Sequence, residues 1–385
     1  MTFSRVILFW LLKMPELTAN NKGDYDNYRM LSENKPFRQP LFRDDHGGKE
    51  QKGRQRKDRD MKRRRVAAII LAAGLAFSLA LPALAASDIT VSNELDHAVL
   101  KGLSDSCAPS GIFPTADGGL MVTDTYARVI WKVKDGQCTL AAGGGSETDP
   151  YGQPVGGYHD TTLTQSLFRE PWAIIPFLDG WAVSDADNNA VRVLRPDRTE
   201  TANAESNVLK MGDMGIVFDH PTGLAFESTG YLYVADTHTG AIRIISPDGK
   251  ADTLIDGLNN PTGIFWAGDS LYVAETGAHR ILKVTRGMKE VVAGTGEEGF
   301  RDGAAGQAQF SSPQGVTVGP DGTIYVADTV NGAVRRIRNG VVDTIAVQNG
   351  TDLRTYPISP RGLCLVGNVL YVCDNFSHKV FMIGV

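Results

Sequence analysis

The stretch "PTGLAFESTGYLYVADTHTGAIRII", Pro221 to Ile245, decides the fold. A Pro opens it and a Gly follows two residues later. Apolar and polar residues then alternate at period two through a Gly turn, a second run ending in Asp236 and a third run, "AIRII". That alternation is the mark of β-strands, and no helix-period segment interrupts it. The same pattern recurs outward in both directions. It opens at Pro109 ("PSGIFPTADGGLMVTDTYARVIWKV"), Pro171 ("PWAIIPFLDGWAVSDADNNAVRVL"), Pro261 ("PTGIFWAGDSLYVAETGAHRILKV"), Pro313 ("PQGVTVGPDGTIYVADTVNGAVRRI") and Pro360 ("PRGLCLVGNVLYVCDNFSHKVFMI"). From Pro to strand-end acid the spacing is 15, 14, 15, 14, 15 and 14 residues, reaching Asp124, Asp185, Asp236, Glu275, Asp328 and Asp374.

Repeats of this length, built from short strands that cannot bury both faces alone, imply blades stacked radially around an axis. The expected fold is all-β: a six-bladed β-propeller of four-stranded antiparallel blades. The last copy stops at Val385 after its third strand, so an N-terminal strand near Ala98 to Leu103 is expected to complete the sixth blade and close the ring. "PTGLAF", "GYLYVADT", "AETGAHRILKV" and "AGTGEEGFRDGAAGQAQFSSPQGVTV" resemble NHL repeats, and the resemblance runs from about Leu100 to Val385. It is looser at Pro171, where Trp172-Ala173 replaces x-Gly, and in the last copy.

One motif competes with this reading. Gly294, Gly296 and Gly299 spell G-x-G-x-x-G, a dinucleotide-binding fingerprint when a strand precedes it and a helix follows. Here the repeat leaves no βαβ unit, and the stretch is expected to be the crossing between the fourth and fifth blades. "AAGGGSETDPYGQPVGGYHDTTLTQSLFREPW" is its counterpart between the first and second.

Charge divides the chain. Residues 1–65 hold 17 of the 39 Lys and Arg but 9 of the 44 Asp and Glu, leaving a net of −13 from Val66 onward. That acidity argues against nucleic acid as a partner. "MKRRRVAAIILAAGLAFSLALPALAAS" from Met61 resembles a bacterial secretory signal, with basic residues, an apolar stretch and Ala83-Leu84-Ala85 at the cleavage point. Three segments are therefore expected: an upstream extension (1–60), disordered or mis-annotated, a signal peptide (61–85) and the propeller (86–385). A cytoplasmic tail with an uncleaved anchor is the alternative. Secretion or a periplasmic location follows from the first, with no membrane contact beyond the signal.

Export would place Cys107, Cys138, Cys364 and Cys373 where disulfides are permitted. A Gly367-Asn368 turn makes Cys364 and Cys373 diagonal neighbours, poorly placed for a bond, so they read as small buried thiols. The state of Cys107 and Cys138 is left open.

Candidate binding residues sit where inner strands begin and where second-to-third strand loops turn, because both open on one face. They are Tyr126, Arg128, Glu170, Trp172, His220, His238, Asn260, Gln314, Arg361 and Phe376. The strand-end acids recur in every copy and read as acceptors for backbone N–H groups of the following turn, not as catalysts. His279 and His378 share one repeat position and fall in different blades. A metal site is conceivable only if Glu170, His220 and Asn260 converge, and no ligand spacing marks one. No catalytic residue, metal or cofactor is assigned. The expected function is recognition of a protein or peptide, with cell-envelope carbohydrate as a further ligand class. Its rival is a metal-dependent propeller enzyme, lyase or lactonase-like hydrolase, with its site at the central channel.

Overall fold

In the computed structural model, which describes residues 107–144, 148–150, 156–177, 179–195, 208–210, 217–247, 250–345 and 359–385, each opening Pro pairs with the acid ending its second strand. The partners are Pro109 and Asp124, Pro171 and Asp185, Pro221 and Asp236, Pro261 and Glu275, Pro313 and Asp328, and Pro360 and Asp374. The even spacing in the sequence is thus a strand register. Immediately after each Pro the register shifts, a bulge in the inner strand. Bulges re-aim side chains, and here Ser110, Trp172, Gln314 and Arg361, each following a Pro, line the central channel.

Six antiparallel sheets follow in chain order. Blade 1 comprises Pro109–Pro114, Leu120–Asp124, Val129–Lys134 and Gln137–Gly143, and blade 2 Pro171–Phe177, Gly180–Asp185, Ala190–Leu194 and Val208–Lys210. Blade 3 comprises Pro221–Phe226, Leu232–Asp236, Ala241–Ile245 and Ala251–Ile255, and blade 4 Pro261–Ala267, Ser270–Glu275, Arg280–Thr285 and Met288–Ala293. Blade 5 adds a short fifth strand, Gly303–Ala304, outside Pro313–Val318, Ile324–Asp328, Ala333–Arg338 and Val341–Ile345. This addition departs from four strands per blade, because the long crossing folds back and pairs with the outer edge, Gly303 opposite Val342. Blade 6 shows Pro360–Val366, Val369–Asp374 and Lys379–Gly384.

The expected closing strand and the signal segment lie outside the described residues. Cys107, at the start of the described chain, donates its thiol to the His378 carbonyl at 3.3 Å, and the His378 Nδ1 meets the Cys107 carbonyl. The first described residue therefore sits beside the third strand of blade 6.

What packs the blades together is legible at the glycines two residues past five of the six Pro, blade 2 carrying Ala173 there. A Cβ on Gly111 would lie 2.4 Å from the Trp172 carbonyl, on Gly263 2.3 Å from that of Gln314, and on Gly315 1.9 Å from that of Arg361. On Gly362 it would lie 2.1 Å from the Ser110 carbonyl, so blade 6 packs on blade 1 and the ring is closed. Hydroxyls latch neighbouring inner strands: Thr123 to the Trp172 carbonyl (2.7 Å), Thr237 to that of Pro261 (2.9 Å), Thr276 to that of Pro313 (2.6 Å) and Thr329 to that of Pro360 (2.7 Å). The apolar core lies between blades, with Ile130, Phe168 and Leu194 filling the first joint and Ile281, Phe310 and Ile337 the fourth. Cys364 and Cys373 are buried free thiols in the joint between blades 6 and 1, and burial pushes the Cys364 thiol up to about 12. Cys138 is also a free thiol.

Among the described residues no α-helix follows Gly299. The crossing has one helical turn of three residues, Ala305–Gln307, and its purpose is visible in Arg335. This fully buried guanidinium lies between the rings of Phe300 (4.8 Å) and Phe310 (5.0 Å) and bonds the carbonyls of Arg301 (2.9 Å) and Gln309 (3.0 Å). Asp302 and Asp328 each hold it at 2.6 Å. The earlier crossing repeats the device: Arg192 lies between Tyr158 and Phe168, bonded to Asp160 at 2.6 Å and Asp185 at 2.9 Å. The glycine-rich loop wraps the Arg335 side chain.

The strand-end acids also differ in detail from expectation. Asp185 accepts from Arg169 N (2.9 Å) and Glu170 N (3.1 Å), Asp236 from Asp219 N (2.7 Å) and Asp328 from Ser311 N (2.7 Å). These donors precede the opening Pro rather than follow the acid. Among the described residues only Asp124, through Ala127 N, and Asp374, through Phe376 N and Ser377 N, also accept backbone N–H groups of the following turn, while Asp185 and Asp328 accept the side-chain amides of Asn188 and Asn331 there. The acid staples the incoming crossing to its own blade, which is why every copy carries one.

Candidate functional site

Three of the six residues that follow a Pro serve the scaffold. Ser110, Thr222 and Thr262 are buried hydroxyls paired with Thr125 (3.2 Å), Thr237 (2.7 Å) and Thr276 (2.6 Å). The other three, Trp172, Gln314 and Arg361, are half-buried and too large for that role. Arg361 of blade 6 reaches past Ser110 of blade 1 and places its Cζ 4.6 Å from the centre of the Trp172 ring in blade 2. The small Ser110 leaves the room for this bridge. Neither the Arg361 Nε nor the Gln314 Oε1, both buried, has a hydrogen-bond partner. A buried polar atom left unpaired costs about 1–3 kcal/mol.

Around this bridge the loops of blades 1, 2 and 6 enclose a cavity of about 410 Å³. Its wall carries three cations, Arg128, Arg169 and Arg361, three acids, Asp149, Glu170 and Asp187, and the exposed ring of Tyr126. Arg361 borders both this cavity and the central channel. Beyond Glu170 the cluster continues into blade 3. His220 stands edge-on to Trp172 (6.4 Å) and stacks on His238 (4.5 Å), whose Nδ1 lies 3.2 Å from Asp219.

Electrostatics set these groups against one another. Burial, the neighbouring Asp187 carboxylate and then Asp185 push Glu170 up to about 7, against the pull of Arg361. Burial and the adjacent His238 hold His220 below the ordinary imidazole value, against Asp187 and Asp219. Burial also lowers Arg361, with Glu170 opposing. Glu170 is therefore the acid of this cluster most ready to hold a proton.

Seven of the ten sequence candidates meet here: Tyr126, Arg128, Glu170, Trp172, His220, His238 and Arg361. Gln314 faces the channel instead, while Asn260 and Phe376 are exposed outside the cavity. Asp149 and Arg169 were missed, and so was the partnership of Asp187 with Glu170. Their only signal was membership of the long crossing and of a loop tip. The convergence that a metal would need is partial. Glu170, Asp187 and His220 offer ligand atoms within 4.8 Å of one another, with Asp187 where Asn260 was expected. The imidazole lies between the two acids, Nε2 3.7 Å from Glu170 and Nδ1 3.6 Å from Asp187. Among the described residues no helix is long and apolar enough to cross a membrane.

Comparison with known proteins agrees with the fold. The family model for the teneurin NHL domain matches residues 213–370. Teneurin-3 of Danio rerio is 32% identical over 180 residues, covering 41% of this chain and 6% of its own length. NHL repeat-containing protein 2 of Gallus gallus is 31% identical over 149 residues, covering 31% of this chain and 20% of its own length. This chain therefore spans no more than a fifth of either relative. A structural genomics protein of unknown function from Bacteroides thetaiotaomicron VPI-5482 superimposes with a TM-score of 0.55 at 14% identity, covering 74% of each chain. Six blades opened by Pro, ended by an acid and matched in sequence to NHL domains make this chain an NHL-repeat β-propeller.

Proposed function

We propose that the chain is an exported, non-catalytic binding propeller that takes a protein or peptide on the loop face over blades 1, 2 and 6. The observation that carries this reading is the 410 Å³ cavity whose wall interleaves three arginines with three acids beside the exposed Tyr126 ring. Alternating charges of both signs suit a polypeptide, which offers carbonyl acceptors, N–H donors and charged ends within one short segment. Sugar rings prefer an open aromatic face, and Trp172 has one of its faces covered by Arg361. Cell-envelope carbohydrate is accordingly the second ligand class. The export half of the reading rests on the basic, apolar and small-residue succession from Met61 to Ser87.

Selection of displayed peptides on the immobilised protein tests it, with Trp172→Ala and Arg361→Ala proteins in parallel. Enrichment on the wild type that both variants lose supports the surface, and equal enrichment on all three moves it elsewhere. Metal analysis of the same preparation tests the rival enzyme. A stoichiometric, tightly held ion that Glu170→Gln and His220→Asn both lose would replace this reading with the metal-dependent one.

A further inference from the structure

Among the buried and half-buried arginines that lie within the described strands, one member stands apart. Arg192, Arg243, Arg280, Arg335 and Arg336 each hold a carboxylate oxygen at 2.6 to 2.9 Å. Arg361 has none within ion-pair distance among the described residues, and its Nε is buried without an acceptor. Its nearest carboxyl, Glu170, faces His220 and Asp187 instead. The guanidinium is nevertheless fixed, since the Trp172 ring lies 4.6 Å beneath it. A planar fork held in place, charged and lacking an anion is a receptor for one.

Resting on the peptide-binding reading above, we infer that Arg361, oriented by Trp172, is a carboxylate subsite that receives the C-terminal or an acidic side-chain carboxylate of the bound segment. The charge around it selects the anion. Asp149, Glu170 and Asp187 share the cavity, so a group with a single negative charge fits beside them better than a doubly charged phosphate. The remaining acids then face the N–H groups and any basic side chain of the same segment.

The test uses the purified chain and an array of tetrapeptides immobilised by their N-termini. Each is made as free acid and as C-terminal amide, with and without an internal Glu. Free acids are expected to bind at least about tenfold more tightly than their amides, a preference that Arg361→Gln abolishes and Arg361→Lys retains in part. The Lys variant keeps the charge but lacks the fork, so it also reports on geometry. Amides that regain affinity only through the internal Glu would assign the subsite to side-chain carboxylates. Acid and amide binding equally with no effect of Glu, or an acid preference surviving in a folded Arg361→Gln protein, overturns the subsite while leaving the peptide pocket standing. Capture of no peptide in either form overturns both.

Discussion

The Arg361 guanidinium lies 4.6 Å over the Trp172 ring although the two residues belong to blades 6 and 2, with blade 1 between them. Such a contact can be worth about 0.5–2 kcal/mol depending on its exposure to solvent. If Trp172 acts by holding Arg361, the two substitutions overlap in effect. A double-mutant cycle of Trp172→Ala and Arg361→Gln, read in peptide affinity, is expected to show coupling of about 1 kcal/mol. Strict additivity would mean that each side chain meets the ligand on its own.

Glu170 makes stability depend on pH. Its folded value, about 7, lies above the ordinary 4.5, so its stabilising state is the protonated one. That contribution is complete below pH 4.5 and is lost as pH rises through 7. Asp187, Asp185 and Arg361 are the charges that act on it, and His220 Nε2 is 3.7 Å away. Glu170→Gln is expected to melt about 2–4 °C above the wild type at pH 8, with the gap closing by about pH 5. Calorimetric melting across that range checks it; a gap that widened toward acid would reverse the assignment.

Arg335 anchors the glycine-rich crossing. Arg335 and Asp328 are both fully buried, and removing one member of such a pair leaves the other uncompensated, at a cost of about 3–5 kcal/mol. Burial already raises Asp328, while Asn331 and Arg335 hold it down. Arg335→Met is therefore expected to destabilise strongly at neutral pH and less in acid, where Asp328 takes up a proton. Chemical denaturation gives the first number. Hydrogen exchange should show residues 299–310 losing protection before the blades do.

The inner-strand glycines are predicted to be intolerant for a backbone reason. Gly263→Ala would drive a Cβ to 2.3 Å from the Gln314 carbonyl, which forces blades 4 and 5 apart. A loss of about 1–3 kcal/mol or more is expected. Gly306→Ala is the control, since nothing lies within 4 Å of its added Cβ, and it should shift stability by less than about 0.5 kcal/mol. Equal effects at the two sites would refute the close-packing account.

The repeat, the strands, their register and the number of blades were all legible in the sequence. Alternation and spacing are local properties, and the distance from Pro to acid is simply the length of a hairpin. The face on which every inner strand begins was legible too, because each opening Pro marks it. What sequence could not show is which side chains meet. It gave Arg192 and Arg335 no special standing, although each lies seven residues past its acid and diagonally across a strand pair from it, opposite Val183 and Val326. Gln314, Arg361 and Trp172 occupy equivalent repeat positions, yet only two of them touch. Arg361 finds Trp172 because Ser110, in the intervening blade, is small and the ring curves the two ends together. Asp187 finds Glu170 because a crossing and a loop tip of blade 2 fold over one another. The second contact depends on how one blade's own loops fold, whereas the first depends on curvature and on the size of a neighbour about 250 residues away in the chain, which only the closed ring supplies.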